Sequence, residues 1–157
     1  MIGRKEVRRL EQRLDSAFGR LGQTSFDSEV QADCARYLCI LVSGYLEKCV
    51  YELVVDHARR KGAPSLLRFV DHKTKRFTNA NARKLQELMG DFDPVWRSSL
   101  ELSITDDLKD AVDSVVSLRN KIAHGESVGV TYIRIKDYYV RIKNVVALIA
   151  DLCDPTS

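Results

Sequence analysis

Late in the chain, the run Ser117-Leu118-Arg119-Asn120-Lys121-Ile122-Ala123-His124-Gly125 crowds a guanidinium, an amide, an ammonium and an imidazole beside an apolar face. An imidazole exchanges its proton near neutral pH, so His124 is a candidate general acid or general base. Arg119 carries a planar fork of donors matched to the oxygens of an anion, and Asn120 can donate and accept at once. The Arg119-to-His124 spacing carries no weight by itself, because a chain with 15 arginines and three histidines supplies such a pair by chance. A plainer reading also exists. Cations in the last turn of a helix are stabilised by its dipole by ~0.3–1 kcal/mol without any chemistry.

The rest of the sequence offers no competing centre. There is no Gly-rich phosphate loop, HExxH, GxSxG or EF-hand loop. His57 and His72 stand in basic surroundings and read as exposed surface residues. Cys34, Cys39, Cys49 and Cys153 lack metal-ligand spacing and read as small apolar residues of a reducing compartment. No metal site and no cofactor are expected.

The elements that must position the motif read as helices. Val7, Leu10, Leu14, Ala17, Phe18 and Leu21 repeat at helical spacing over 4–21, and Gly22 is a stop. Capped from Ser25–Asp27, a second helix runs to about Lys61 before Gly62 and Pro64. Its mid-helix Gly44 predicts a mild kink or a close helix crossing. A short helix is expected over 65–70, an exposed basic loop over 71–78, and another short helix from Asn79 or Asn81 to Met89, ended by Gly90. Asp91–Pro94 reads as a turn, with Val95-Trp96 anchoring the next segment to the core. The motif helix starts at the N-cap Thr105, with Asp106, Asp107 and Asp110 favourable to its dipole. Leu108, Val112, Val115, Val116 and Ile122 form its apolar face, and Gly125 suits the position after its end. Residues 126–133 read as a loop. A terminal helix from Ile135 to Leu152 stops before Pro155.

With 157 residues, 45% hydrophobic and 30% charged, the chain reads as one globular domain over 1–157, an N-terminal amphipathic helix (1–22) packed on a core (26–153). The fold class is all-α, a bundle of four main helices with short helices inserted between the second and third. No apolar run approaches the ~20 residues of a membrane span, and with no signal-peptide pattern the expected setting is the cytoplasm. A net charge of +3 permits a nucleic-acid partner. Residues 59–84 hold nine basic side chains and one acidic one, whereas 87–113 hold eight acidic and two basic. Such blocks are either solvated surface or, for the first, a track for a phosphate backbone.

The string RNKIAHG at the end of a valine-rich helix, the helix ARYLCILVSGYLEKCVYELV, the FDPVW segment and the aromatic-rich terminal helix together resemble the HEPN superfamily. These are all-α domains named for nucleotide binding in higher eukaryotes and prokaryotes. The resemblance spans roughly Asp27 to Cys153 and points to the RiboL-PSP-HEPN branch of prokaryotic defence and toxin-like proteins. In that superfamily the pattern is Arg, a polar residue, then His after three to five more. Arg119, Asn120 and His124 match it. The resemblance implies a metal-independent endoribonuclease whose active site forms at a homodimer interface, with a cognate antitoxin or a larger defence complex as further partner. One departure matters. Some HEPN toxins carry a Tyr two residues after the His, which a partner nucleotidyltransferase modifies, and here that position is Glu126.

The implied reaction suits the residues. RNA cleavage without metal needs a base for the 2′-hydroxyl proton, an acid for the leaving 5′-oxygen, and positive charge for the phosphorane. Arg119 would clamp phosphate, Asn120 would orient phosphate or His124, and Lys121 would hold the substrate backbone. One histidine cannot easily serve both proton transfers, but a two-fold dimer brings two. On an ideal helix Arg119 and His124 stand about 140° apart, so they converge within one chain only if the helix frays or turns at its end, as Ala123-His124-Gly125 would allow. Glu47 is a candidate to hold Arg119. Two other readings stay open: a HEPN module that binds RNA, a nucleotide or a protein without turnover, and a helical interaction domain in which Arg119 and His124 only finish a helix.

Overall fold

The computed structural model describes residues 2–155. Among them seven helices and no strands occur: α1 (Ile2–Leu21), α2 (Ser28–Lys61), α3 (Pro64–Lys75), α4 (Ala82–Phe92), α5 (Pro94–Ser103), α6 (Asp106–Ala123) and α7 (Tyr132–Cys153). The all-α class stands. Short polar side chains start most of these helices by accepting an otherwise unpaired amide of the first turn. Asp27 accepts from Val30 N at 2.9 Å, Asn81 from Lys84 N at 2.9 Å, and Asp93 from Val95 N at 2.8 Å. Thr105 and Thr131 do the same for α6 and α7.

The post of the bundle is α2. Its 34 residues extend about 50 Å, and apolar side chains occur all around its axis because α1, α3, α6 and α7 pack on it from different sides. Leu38, Cys39, Val42, Leu46, Cys49 and Val54 are wholly buried along it. They meet Val112 and Val115 of α6 and Ile135, Ile142, Val145 and Ile149 of α7 in one core cluster. Burying each large aliphatic side chain contributes ~1.5–3 kcal/mol, so this three-helix seam fixes where α6 can end.

α1 closes the open side of α2 and α7. Phe18 stacks on Tyr139 with ring centroids 4.9 Å apart, and Tyr45 meets Tyr139 edge-on. The hydroxyl of Tyr139 donates to Asp15 at 2.8 Å, and that of Tyr45 to Glu11 at 2.9 Å. Beyond α1, a Cβ on Gly22 would come within 2.3 Å of the Tyr132 ring, so a side chain there would have to displace that ring.

The structure departs from the sequence reading at several points, each with a local cause. The expected loop 71–78 is helical through Lys75. Asp71 accepts the Tyr51 hydroxyl and pairs with Lys75, while buried Thr74 donates to the Val70 carbonyl at 2.7 Å. α4 continues past Gly90 to Phe92, with the Arg97 stem lying against that glycine. Val95 is 66% exposed, so α5 is anchored instead by buried Leu100 and by Trp96, which packs on the core and on His57 with ring centroids 4.7 Å apart. His57 is therefore half-buried rather than a surface residue, and its Nδ1 lies 2.9 Å from the Cys153 carbonyl oxygen. Gly44 sits on an exposed face with open space around it, within an unbroken helix, so no close crossing accounts for it. α7 begins at Tyr132, so the expected loop ends two residues early, and Ile133 is helical and exposed.

Candidate active site

Everything at the candidate site hangs on how α6 ends. Ala111, Val112, Val115 and Val116 hold the helix to the core. Past Ala123 the chain closes with a compact hydrogen-bonded stop. Gly125, at φ +75°, donates to the Ile122 carbonyl at 3.0 Å, and Glu126 donates to the Lys121 carbonyl at 2.9 Å. This double bond pattern is the Schellman stop, which needs a left-handed residue that glycine adopts without a Cβ penalty. His124 is the cap residue itself, its amide donating to the Asn120 carbonyl at 3.0 Å. The end of α6 is thus locked, not frayed.

A locked end decides which side chains meet. Asn120 and His124, one turn apart, share a face of α6 and line an open cleft of about 620 Å³ together with Lys121. Arg119 does not line it. It is exposed on another side of the helix, and its Nη1 reaches only the Asn120 Oδ1, at 3.4 Å. Although the helix turns at its end, Arg119 and His124 do not converge within one chain. Nor does Glu47 hold Arg119. Its carboxylate instead accepts the Asn79 amide at 3.0 Å, where Asn79 takes a left-handed backbone at φ 54°.

The opposite wall of the cleft comes from the start of α4, which contributes Asn81 and Arg83. Asp113 of α6 ties this wall in place by accepting the Ala82 amide at 2.9 Å. Arg83 pairs with Glu87 at 3.0 Å across an exposed i,i+4 contact, a pairing weak enough for an anion to compete with. Arg83, Lys121 and His124 stand against Asp113 and Glu126, so the cleft offers cations, an imidazole and an amide to an anionic ligand. Sequence reasoning placed Arg83 only in a basic run and Asn81 only as a helix cap. Their meeting with α6 depends on packing between segments more than 30 residues apart, for which the sequence holds no short-range signal.

Elsewhere, no group of His, Cys, Asp or Glu among the described residues is arranged to hold a metal ion, and no helix is long and apolar enough to cross a membrane. Burial holds the thiols of Cys39, Cys49 and Cys153 above the usual range.

Neither the characterised proteins nor the solved structures include a match to this chain. A family model does match, and its span reaches into α1, upstream of the stretch that carries the sequence resemblance. Ribonucleases and RNA-binding modules occur among HEPN domains. With the model matching residues 5–154, the chain belongs to the RiboL-PSP-HEPN family.

Proposed function

We propose that this protein is a metal-independent endoribonuclease of a toxin or defence system, acting in the cytoplasm as a homodimer whose two α6 ends build one site. The observation that carries the reading is the split at that end. Asn120, Lys121 and His124 face one cleft, and Arg119 points elsewhere. Each chain is then a half-site, and a second copy would bring its own Arg119 and His124 to the substrate. One His124 takes the proton from the 2′-hydroxyl as its oxygen attacks phosphorus. The other gives a proton to the departing 5′-oxygen. The products are a 2′,3′-cyclic phosphate and a free 5′-hydroxyl, with no water consumed. Arg119 neutralises the phosphorane charge, Asn120 orients the phosphate or an imidazole, and Lys121 holds the flanking backbone.

Glu126 sits at the cleft where some HEPN toxins carry a modifiable Tyr. That position offers no Tyr for nucleotide transfer, and control on this reading falls to a binding partner, such as a cognate antitoxin or a larger defence complex. The test is cleavage of total RNA in EDTA by the wild type and by His124→Ala. Cyclic-phosphate ends from the wild type and a ~10²–10⁴-fold slower variant are expected. Equal rates would sink the catalytic reading. RNA binding without turnover would make the domain a holding module.

A further inference from the structure

The outward face of α3 places exposed apolar side chains among cations. Phe69 is 65% exposed and its neighbour Leu66 58% exposed, on a helix that buries only Thr74 fully. At helical spacing Phe69 lies beside His72, Lys73 and Arg76, while Arg68 precedes it. Five of the nine cations of the basic run are paired nearby: Arg59 and Arg60 with Asp56, Lys75 with Asp71, Lys73 with Asp91 and Arg83 with Glu87. Among the described residues Lys61, Arg68 and Arg76 form no ion pair, and all three lie on or next to α3. The only acid of α3, Asp71, is engaged by Tyr51 and Lys75.

An exposed aromatic ring among unpaired cations is what a single-stranded nucleic acid needs: a flat face for a base and charges for the backbone. Two apolar side chains are too few to seat a helix in a lipid interface. The position also fits. Five peptide steps from Arg76 to Asn81 cover at most about 18 Å, and Asn81 lines the cleft that His124 faces.

We propose that the outer face of α3 is a second RNA-binding surface. Phe69 stacks on an unpaired base, Lys61, Arg68 and Arg76 hold phosphates, and a single-stranded RNA runs from α3 to the cleft at the end of α6. The proposal rests on reading that cleft as the RNA site, but it concerns binding and not cleavage.

The test uses the full chain carrying His124→Ala, so that the probe survives, and a fluorescein-labelled 20-nucleotide single-stranded RNA followed by anisotropy. Adding Phe69→Ala weakens binding about 5- to 150-fold, and Phe69→Trp restores it. Arg68→Ala or Arg76→Ala each flatten the dependence of log affinity on log salt by about 0.7. The loss grows with probe length from a trinucleotide upward. Because Phe69 is exposed, melting temperatures stay unchanged, which separates lost binding from lost folding.

The proposal is overturned if Phe69→Ala and the arginine variants bind the 20-mer as the parent does. It is equally overturned if Phe69→Ala weakens adsorption to phosphatidylserine vesicles and leaves RNA affinity intact. Cleavage by the unmodified protein is scored separately. An inactive protein whose RNA affinity depends on Phe69 refutes the catalytic reading alone, and an active one indifferent to Phe69 refutes this surface alone.

Discussion

The amide of Glu126 donates to the carbonyl of Lys121 at 2.9 Å, and with the Gly125 bond to Ile122 it holds the chain in the turn that carries His124. It can form only because Gly125 takes φ +75° between them. Gly125→Ala should cost about 1 kcal/mol of stability, since an L side chain is strained in left-handed backbone. Gly125→Asn should cost less. If His124 works from this turn, the Ala variant also loses cleavage beyond what its lowered stability explains. Urea unfolding and a cleavage assay on both variants check this, and full activity in a destabilised Gly125→Ala would refute it.

Arg119 stands outside the cleft and hydrogen-bonds only Asn120, so under the proposed ribonuclease reading it reaches a substrate only through a second chain. Activity per chain should therefore rise with protein concentration across the range where the mass doubles from 17.8 kDa. Arg119→Lys keeps the charge but not the planar fork, and it should slow cleavage without shifting that concentration range. Light scattering beside initial rates decides it. Activity per chain that does not change with dilution would mean a single chain suffices.

How much of the fold and site is legible in the sequence varies with the range of the forces involved. The ends of α2 and α6 are readable because Asp27, Thr105 and Gly125 act within one helical turn. The extension of α3 through Lys75 is hidden, because Tyr51 of α2 and the burial of Thr74 hold a polar segment in helical form. At the site, Asn120, Lys121 and His124 can be placed on one helix end from their spacing. Arg83 cannot, since only the Asp113 bond to the Ala82 amide brings α4 to that wall. His57 reads as a surface residue among arginines until Trp96 and the end of α7 close over it.

The buried thiols make a separate test. Burial pushes Cys39 up to about 11 and Cys153 up to about 12 from an ordinary 9.0, and Cys49 higher still. Cys34 alone is partly exposed. At pH 8 iodoacetamide should label Cys34 in the native protein and all four cysteines in urea, read by mass spectrometry. Above about pH 9 the unfolded chain loses thiol protons that the folded chain keeps, so stability falls as pH rises toward the folded values. A stability flat from pH 8 to 10.5 would contradict this.

Three chain segments meet at the far end of the bundle, where Asp154 and Asp56 are each only 5% exposed. Arg4 of α1 donates to the Asp154 carboxylate at 3.1 Å and to its carbonyl at 2.7 Å. Arg60 of α2 donates to Asp56 at 3.2 Å and to the Cys153 carbonyl at 3.0 Å, with Asp154 3.6 Å away. Gly3 permits the approach, since a Cβ there would sit 3.1 Å from that of Asp56. Removing a buried carboxylate leaves two guanidinium groups short of a partner, whereas removing an exposed one leaves them to water. Asp154→Ala should therefore cost about 2–3 kcal/mol. Asp151→Ala, which also loses a 2.9 Å contact with Arg4 but at an exposed site, should cost under about 1 kcal/mol. Urea midpoints for the two variants measure the difference. Equal costs would mean that burial adds nothing to this junction.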